Sequence, residues 1–325
     1  MRDRCLHRNR HRSKTMVPTI HENALIALTA AASWGGGDFS GGMGVKASGG
    51  HVADAIRFVM LAYGMSLVVL LGMLWAQHAG LPHGEAVGWA VVGGVTGALG
   101  LVAFYIALSR GGMGASAAVS GLLAAAIPAM VSSVMEGAPG AMRLAGFALA
   151  GGAIWLIAAG ETPESGGESR GTMALAIFAG VAFGVYFVAL KMTNPLGLVM
   201  PMAIARTSSL VLCAVVIGVM SLGRRGLPVQ SMSRKRKVGH HEMAESGRWR
   251  AGWKWALGVA LLDTGGNVLF MEATRLGRLD VASVLASLYP AGTILLAAWY
   301  LHERPTRRQG LGMAAALAAV VMITL

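Results

Sequence analysis

Two acids and two arginines stand inside long apolar stretches of this sequence, where a charge is costly and therefore informative. Asp263 has twelve residues of apolar run on one side and eleven on the other. Asp38 lies seven residues from the Val45 end of an earlier run, ~10 Å inside that end at a rise of ~1.5 Å per residue. An ionised carboxylate at such depth costs a few kcal/mol, about 3 on insertion scales, so each is a candidate site for a proton or a cationic group. The competing account is a helix-packing acid, neutralised by a proton or by hydrogen bonds to Asn267 and Thr264. Arg206 is eight residues into its run, ~12 Å deep, whereas Arg57 is only five residues in and can snorkel to the headgroups. A planar guanidinium suits a carboxylate or a phosphate, although a neighbouring acid or a helix C-terminus would satisfy it equally.

Around these charges, Trp34, Tyr105, Tyr186, Tyr289 and Asn267 could line a cavity, because small-molecule pockets are mainly apolar and aromatic with a few polar groups. Packing, or an interfacial belt, accounts for them equally. Gly93, Gly97 and Gly100 in one run, and Gly37 and Gly41 in another, are spaced to bring helices close. Pro128 and Pro290 fall inside runs and free backbone carbonyls there. None of the nine histidines joins Cys, Asp or Glu at metal spacing within a run, so no metal site is expected. No nucleophile elbow or paired-carboxylate cleft is visible, no cofactor is implied, and G-G-M-G at 111 lacks the lysine of a phosphate loop.

The elements that must position these residues follow from composition. Of 325 residues, 55% are hydrophobic and 13% charged, about half the usual charged share, and the mean hydropathy is +0.60. Ten apolar runs of about 18 to 24 residues match a ~30 Å hydrocarbon core: 24–45, 52–75, 86–108, 115–135, 141–159, 172–191, 198–221, 251–274, 281–301 and 308–325. Helices are expected, since lipid offers backbone groups no partners. The net charge of +12 sits mainly outside the runs, six basic residues in the first fourteen and nine from Arg224 to Lys254, all but Lys254 ahead of the eighth run. There it sets topology and meets lipid headgroups; R-K-R-K without a folded basic domain is no nucleic-acid site. Met16 opens an ordinary-looking start, so residues 1–15 read as an extension that need not be translated.

The halves resemble each other. Arg57 after A-D-A-I and Arg206 after M-A-I-A are offset by 149, while F-Y-I-A-L-S-R-G-G at 104 and F-M-E-A-T-R-L-G-R at 270 are offset by 166. The long loop ahead of the eighth run absorbs the difference. Five runs per half is an odd number, so the second half enters from the opposite side, as in the inverted repeats of many secondary transporters. The division is a basic tail at 1–23, a first repeat at 24–159, a polar linker at 160–171, and a second repeat at 172–325 with a basic loop at 222–250.

F-G-V-Y-F-V-A-L-K from Phe183 to Lys191, the arginines of the second and seventh runs, S-V-L-A-S-L-Y-P around Pro290, L-H-E-R-P around Glu303, and Q-G-L-G opening the last run resemble the EamA type of the drug/metabolite transporter superfamily. The resemblance spans the chain beyond residue 23 and is densest in the second half; in the first, W-G-G-G-D-F at Trp34 departs from the usual uncharged opening. It implies an all-α polytopic membrane protein, ten transmembrane helices as two inverted five-helix EamA-like repeats, that moves small metabolites. It also implies a location in the cell membrane, a bacterial plasma membrane, with both termini in the cytoplasm. The basic residues argue the reverse, 11 inside against 16 outside under that topology.

The expected function is secondary transport of a small metabolite, amino acid or drug-like solute by alternating access, with proton coupling through the intramembrane acids. Partners are the lipid bilayer and the solute, without nucleic acid. The candidate residues are Asp263, Asn267, Asp38, Arg206, Trp34, Tyr186, Tyr289 and Arg57. A membrane-embedded transferase acting on a lipid-linked substrate is the alternative, for which paired interfacial acids or histidines are lacking.

Overall fold

Backbone groups in lipid find partners only within a helix or a closed barrel, and every described element of this chain is a helix. The computed structural model describes residues 20–48, 52–109, 113–158, 170–225, 235–300 and 306–324. The first half forms α1 (Ile20–Ser48), α2 (Val52–Ala76), α3 (Glu85–Ser109), α4 (Met113–Met135) and α5 (Ala141–Ala158). The second forms α6 (Arg170–Met192), α7 (Val199–Arg225), α8 (Lys235–Leu276), α9 (Leu279–Ala286), α10 (Tyr289–Tyr300) and α11 (Arg307–Thr324). Among the described residues, five stretches are long and apolar enough to cross a membrane: Val52–Ala76, Glu85–Leu108, Gly171–Met192, Val199–Leu222 and Leu279–Tyr300. Val119–Met135 and Ala141–Leu156 are shorter apolar helices. The tail at 1–15, Cys5 and most of the linker lie outside the described residues.

Three local features differ from the sequence reading or refine it. The basic loop expected at 222–250 is helical from Lys235, continuous with α8; Lys, Arg, Glu, Met and Ala propagate a helix well, and no proline interrupts them. The glycine run at 35–37 stays inside the continuous α1. Its missing side chains serve packing: a Cβ at Gly35 would lie 2.8 Å from the Tyr289 carbonyl oxygen, so α1 and α10 touch through backbone. The ninth run divides at Ser287–Leu288 into α9 and α10, because Pro290 in the first turn of α10 has no N–H to continue the earlier ladder. Pro128 leaves α4 unbroken.

Packing rests on small residues. Ala27, Ala30, Ala179, Ala189, Ala273 and Ala282 are fully buried, while Trp75 is 83% and Trp299 75% exposed, the inversion expected where apolar side chains face lipid and helices associate by close approach. α1 runs antiparallel along α8: Asn23 meets Gly277, Trp34 meets Gly266, Gly37 meets Asp263 and Ser40 meets Gly258. α6 runs antiparallel along α3 with Phe183 at Gly100, Tyr186 at Gly97 and Ala189 at Gly93. α4 lies parallel to α6, Leu123 and Ile127 against Gly180 and Gly184. α10 lies likewise along α1, and α5 packs on α11 through Gly146 and Ile323.

Candidate functional site

Where α2, α7 and α8 meet beside α1, the polar residues of these apolar helices converge. Arg206, on α7, is 2% exposed, and its guanidinium donates through Nη2 to the Asp263 carboxylate on α8. The same nitrogen lies 3.3 Å from Thr264 Oγ1, which shares a 2.6 Å hydrogen bond with Ser66 of α2. The guanidinium carbon stands 3.9 Å from the centroid of the Tyr63 ring, a cation–π arrangement. On its other side Asp263 accepts from Asn267 Nδ2 at 3.2 Å, and Asn267 Oδ1 accepts from Trp34 Nε1 at 3.2 Å. A buried charge pair persists only if the remaining donors and acceptors are also satisfied, and this chain of contacts from Ser66 to Trp34 does most of that. Arg206 Nε is buried without a partner among the described residues.

The neighbouring walls are aromatic. Trp34 stacks on Phe187 at 5.0 Å with planes 5° apart, and Phe270 completes the group at 5.6 Å from Trp34 and 4.7 Å from Phe187. The indole lies over Gly266, where a Cβ would stand 2.6 Å from its Cδ1; only glycine lets Trp34 reach Asn267. Asp38, one turn further along α1, is half-buried and close enough to Asp263 for the two charges to repel.

Of the residues singled out from sequence, Asp263, Asn267, Arg206 and Trp34 thus form one connected group with Asp38 at its edge. Tyr186 is buried beside it, 6.2 Å from Phe187 and packed over Gly93 and Gly97. Tyr289 is on a different wall, its hydroxyl 3.4 Å from Ser120 Oγ and its ring edge-on to Phe104 at 6.3 Å. Tyr105 lies against Gly41. Arg57 is away from the group, 3.9 Å from Asp54 with its side chain 47% exposed. Sequence reasoning missed Tyr63 and Ser66; their spacing of three on one face of α2, which is apolar beyond Arg57 apart from them, was the available signal. Among the described residues no cluster of His, Cys, Asp and Glu could hold a metal ion.

Comparison with known proteins bears on this arrangement. Residues 238–325 match the EamA-like transporter family, within the half where the resemblance is densest. No curated protein matches the chain. A solved structure described only as "Crystal structure of protein" shares the fold, with a TM-score of 0.67 over 93% of this chain and 98% of its own at 17% identity.

Proposed function

We propose that this chain, with a transporter-family segment at its C-terminal end and helices able to cross a membrane, is a secondary transporter that moves a small solute by alternating access between two inverted five-helix repeats, residues 24–159 and 172–325. The observation that carries the reading is the buried Arg206–Asp263 pair, bridged to the other half through Tyr63, Ser66 and Trp34. The repeat architecture is supported by contacts that recur under the two sequence offsets. Adding 149 to α1 positions and subtracting 166 from α8 positions turns Trp34–Gly266 into Phe183–Gly100, and Gly37–Asp263 into Tyr186–Gly97. The same offsets relate Gly35 against Tyr289 and Thr293 to Gly184 against Leu123 and Ile127.

Chemically, the pair offers two exchangeable partners. A solute carboxylate can replace Asp263 on the Arg206 guanidinium, which suits bidentate anions; a proton or ammonium group can replace Arg206 at Asp263, with Asp38 adding a second negative charge. Either exchange removes the link between α7 and α8, which gives solute a differential affinity for two arrangements of those helices, the requirement for any ligand-driven change. Tyr186, Asn267 and the Trp34 wall would contact the body of the solute. Proton coupling through Asp263, with Asp38 assisting, belongs to this reading, as does a multi-pass placement in the cell membrane.

The test is flux. Solutes that raise the melting temperature of the purified protein are offered to proteoliposomes containing this chain alone, with and without a pH gradient. Saturable accumulation of a stabilising solute is expected, and it should vanish in Asp263→Asn. Absence of flux for every stabilising solute would remove the transport reading and favour a transferase, to be assayed on lipid-linked substrates.

A further inference from the structure

Away from the Arg206–Asp263 pair, a second group of charges joins the two halves at one end of the bundle, and the proposed function makes no use of it. Glu136 follows the last residue of α4. Its Oε1 stands 3.2 Å from Lys191 Nζ at the end of α6, and its Oε2 accepts from Ser132 Oγ at 2.7 Å and from the Leu279 backbone N–H at 3.1 Å. Lys191 also donates to the Thr274 carbonyl at 2.6 Å, in the last turn of α8. Arg278, between α8 and α9, donates to the carbonyls of Glu136 at 3.0 Å and Gly137 at 2.7 Å. Its orientation is fixed by Asp280, fully buried and 2.8 Å away. Gly137 has φ +86°, a left-handed conformation that other residues resist and that sets the carbonyls of this turn. First-half groups (Ser132, Glu136, Gly137) are therefore tied to second-half groups (Lys191, Thr274, Arg278, Leu279).

Directly beneath lies the aromatic group. Phe187 is one turn before Lys191 on α6, and Phe270 one turn before Thr274 on α8, each ~6 Å along its helix. Trp34 closes on both, and Asn267 and Asp263 follow. The order along the axis is thus charge cluster, aromatic layer, buried pair. Beside the cluster Thr193, Thr274, Asp280 and Ser283 are 0% exposed, while the charged side chains of Glu136, Lys191 and Arg278 sit at its rim, 23%, 22% and 25% exposed. Neither cation recurs at its equivalent position in sequence: under the repeat offsets, Lys191 corresponds to Gly42 and Arg278 to Gly112, with Lys46 one turn past Gly42 at the end of α1.

We infer that Glu136, Lys191 and Arg278 form a one-sided latch that holds the two halves together over the aromatic layer, so that this face opens only when the latch parts. The inference rests on the two-repeat transport reading, yet its test needs no solute. Capping of helix C-termini by cations explains Lys191 and Arg278 as static fixtures; a latch differs in that weakening it exposes one face selectively.

The experiment places single cysteines in a Cys5→Ser, Cys213→Ala background, in nanodiscs that leave both faces accessible. Ser283→Cys, on α9 one turn past Leu279, reports the latched face; its native hydroxyl is buried and unpartnered among the described residues. Ser48→Cys, at the far end of α1 and 8% exposed, reports the opposite face. With a charged maleimide, Glu136→Gln and Lys191→Met are each expected to speed labelling at Ser283→Cys by about tenfold, the scale of one lost interaction of this kind, with no rise at Ser48→Cys. Unchanged labelling at Ser283→Cys in either variant, or a joint rise at both positions, overturns the latch. Loss of solute flux in the parent would instead count against the transport reading and leave the labelling result standing.

Discussion

Arg57 and Arg206 stand 149 residues apart, at corresponding places under the proposed repeat, behind A-D-A-I and M-A-I-A, yet one is a half-exposed residue beside Asp54 and the other is buried against Asp263. The partners explain the divergence. Under the offset of 166, Asp263, Thr264 and Asn267 correspond to Gly97, Ala98 and Leu101; under the offset of 149, Tyr63 and Ser66 correspond to Leu212 and Val215. The contact scaffold recurs because it depends on small residues at helix crossings, which tolerate few changes. The polar group does not recur, because any one face of a helix can gain or lose a polar side chain without altering the crossing. On the proposed repeat, repetition would supply the frame, and the polar group would belong to one side of it.

The strongest way to break this comparison is to remove one member of the buried pair. Arg206→Met or Asp263→Asn strands the other charge, and each should lower unfolding free energy by ~3–5 kcal/mol, read as a fall in melting temperature in detergent. The guanidinium against Asp263 makes Asp263→Asn costly to folding as well as to flux. The double variant should regain much of the lost stability without regaining flux. Single variants as stable as the parent would mean that water already reaches the pair and that it is no more buried in effect than Arg57.

How much of this was legible in advance follows from the range of the interactions concerned. The apolar runs coincide with helices because length and hydropathy are local, and Asp263, Arg206 and Asn267 stood out because a polar group in such a run is rare. That Arg206 faces Asp263, 57 positions away, depends on how α7 crosses α8, which no local pattern fixes. Trp34 and Asn267 are 233 apart. Glu136, Lys191 and Arg278 looked like ordinary charges at helix ends; only the convergence of α4, α6 and α8 turns them into a cluster. The basic stretch that opens α8 reads as a loop in the sequence because charge argues against lipid, although charge does not oppose a helix that extends beyond it.

A smaller effect should come from Trp34→Phe. The stack on Phe187 survives, but the donor to Asn267 is lost, so the expected destabilisation is about 1 kcal/mol. The equivalent aromatic, Phe183, makes no such bond, packing instead over Gly100. Phe183→Leu should therefore leave solute affinity unchanged where Trp34→Phe weakens it, a contrast measurable by the solute-induced shift in melting temperature. Equal weakening by both would make the aromatic layer, rather than the hydrogen bond, responsible.

Acid sharpens the contrast between the two ends of the bundle. Burial pushes the Glu136 carboxyl up, but hydrogen bonds from Ser132 and the Leu279 N–H together with the Lys191 ammonium outweigh it and hold the carboxyl below its ordinary range. A depressed folded-state value means that the stabilisation is complete above the ordinary glutamate pKa of about 4.3 and is lost as pH falls through the lower, folded value. The melting-temperature gap between the parent and Glu136→Gln should stay constant from about pH 7 to pH 5 and close only below about pH 4. A gap that closes near neutrality would assign the pH response to another group.

The smallest effect is expected at Arg57 itself. Its side chain is 47% exposed and its 3.9 Å approach to Asp54 is an i,i+3 pair along α2, a geometry that contributes about 0–1 kcal/mol and is screened by salt. The long aliphatic stem lets the charge rest in the headgroup region whether or not Asp54 is near. Arg57→Gln should therefore leave the melting temperature within error of the parent and solute flux at full rate, and raising ionic strength should erase whatever difference remains. If Arg57→Gln instead abolished flux at normal protein levels, the corresponding position in the first half would share the work of Arg206 at another point of the cycle, and the division between a repeated frame and a one-sided site would fail.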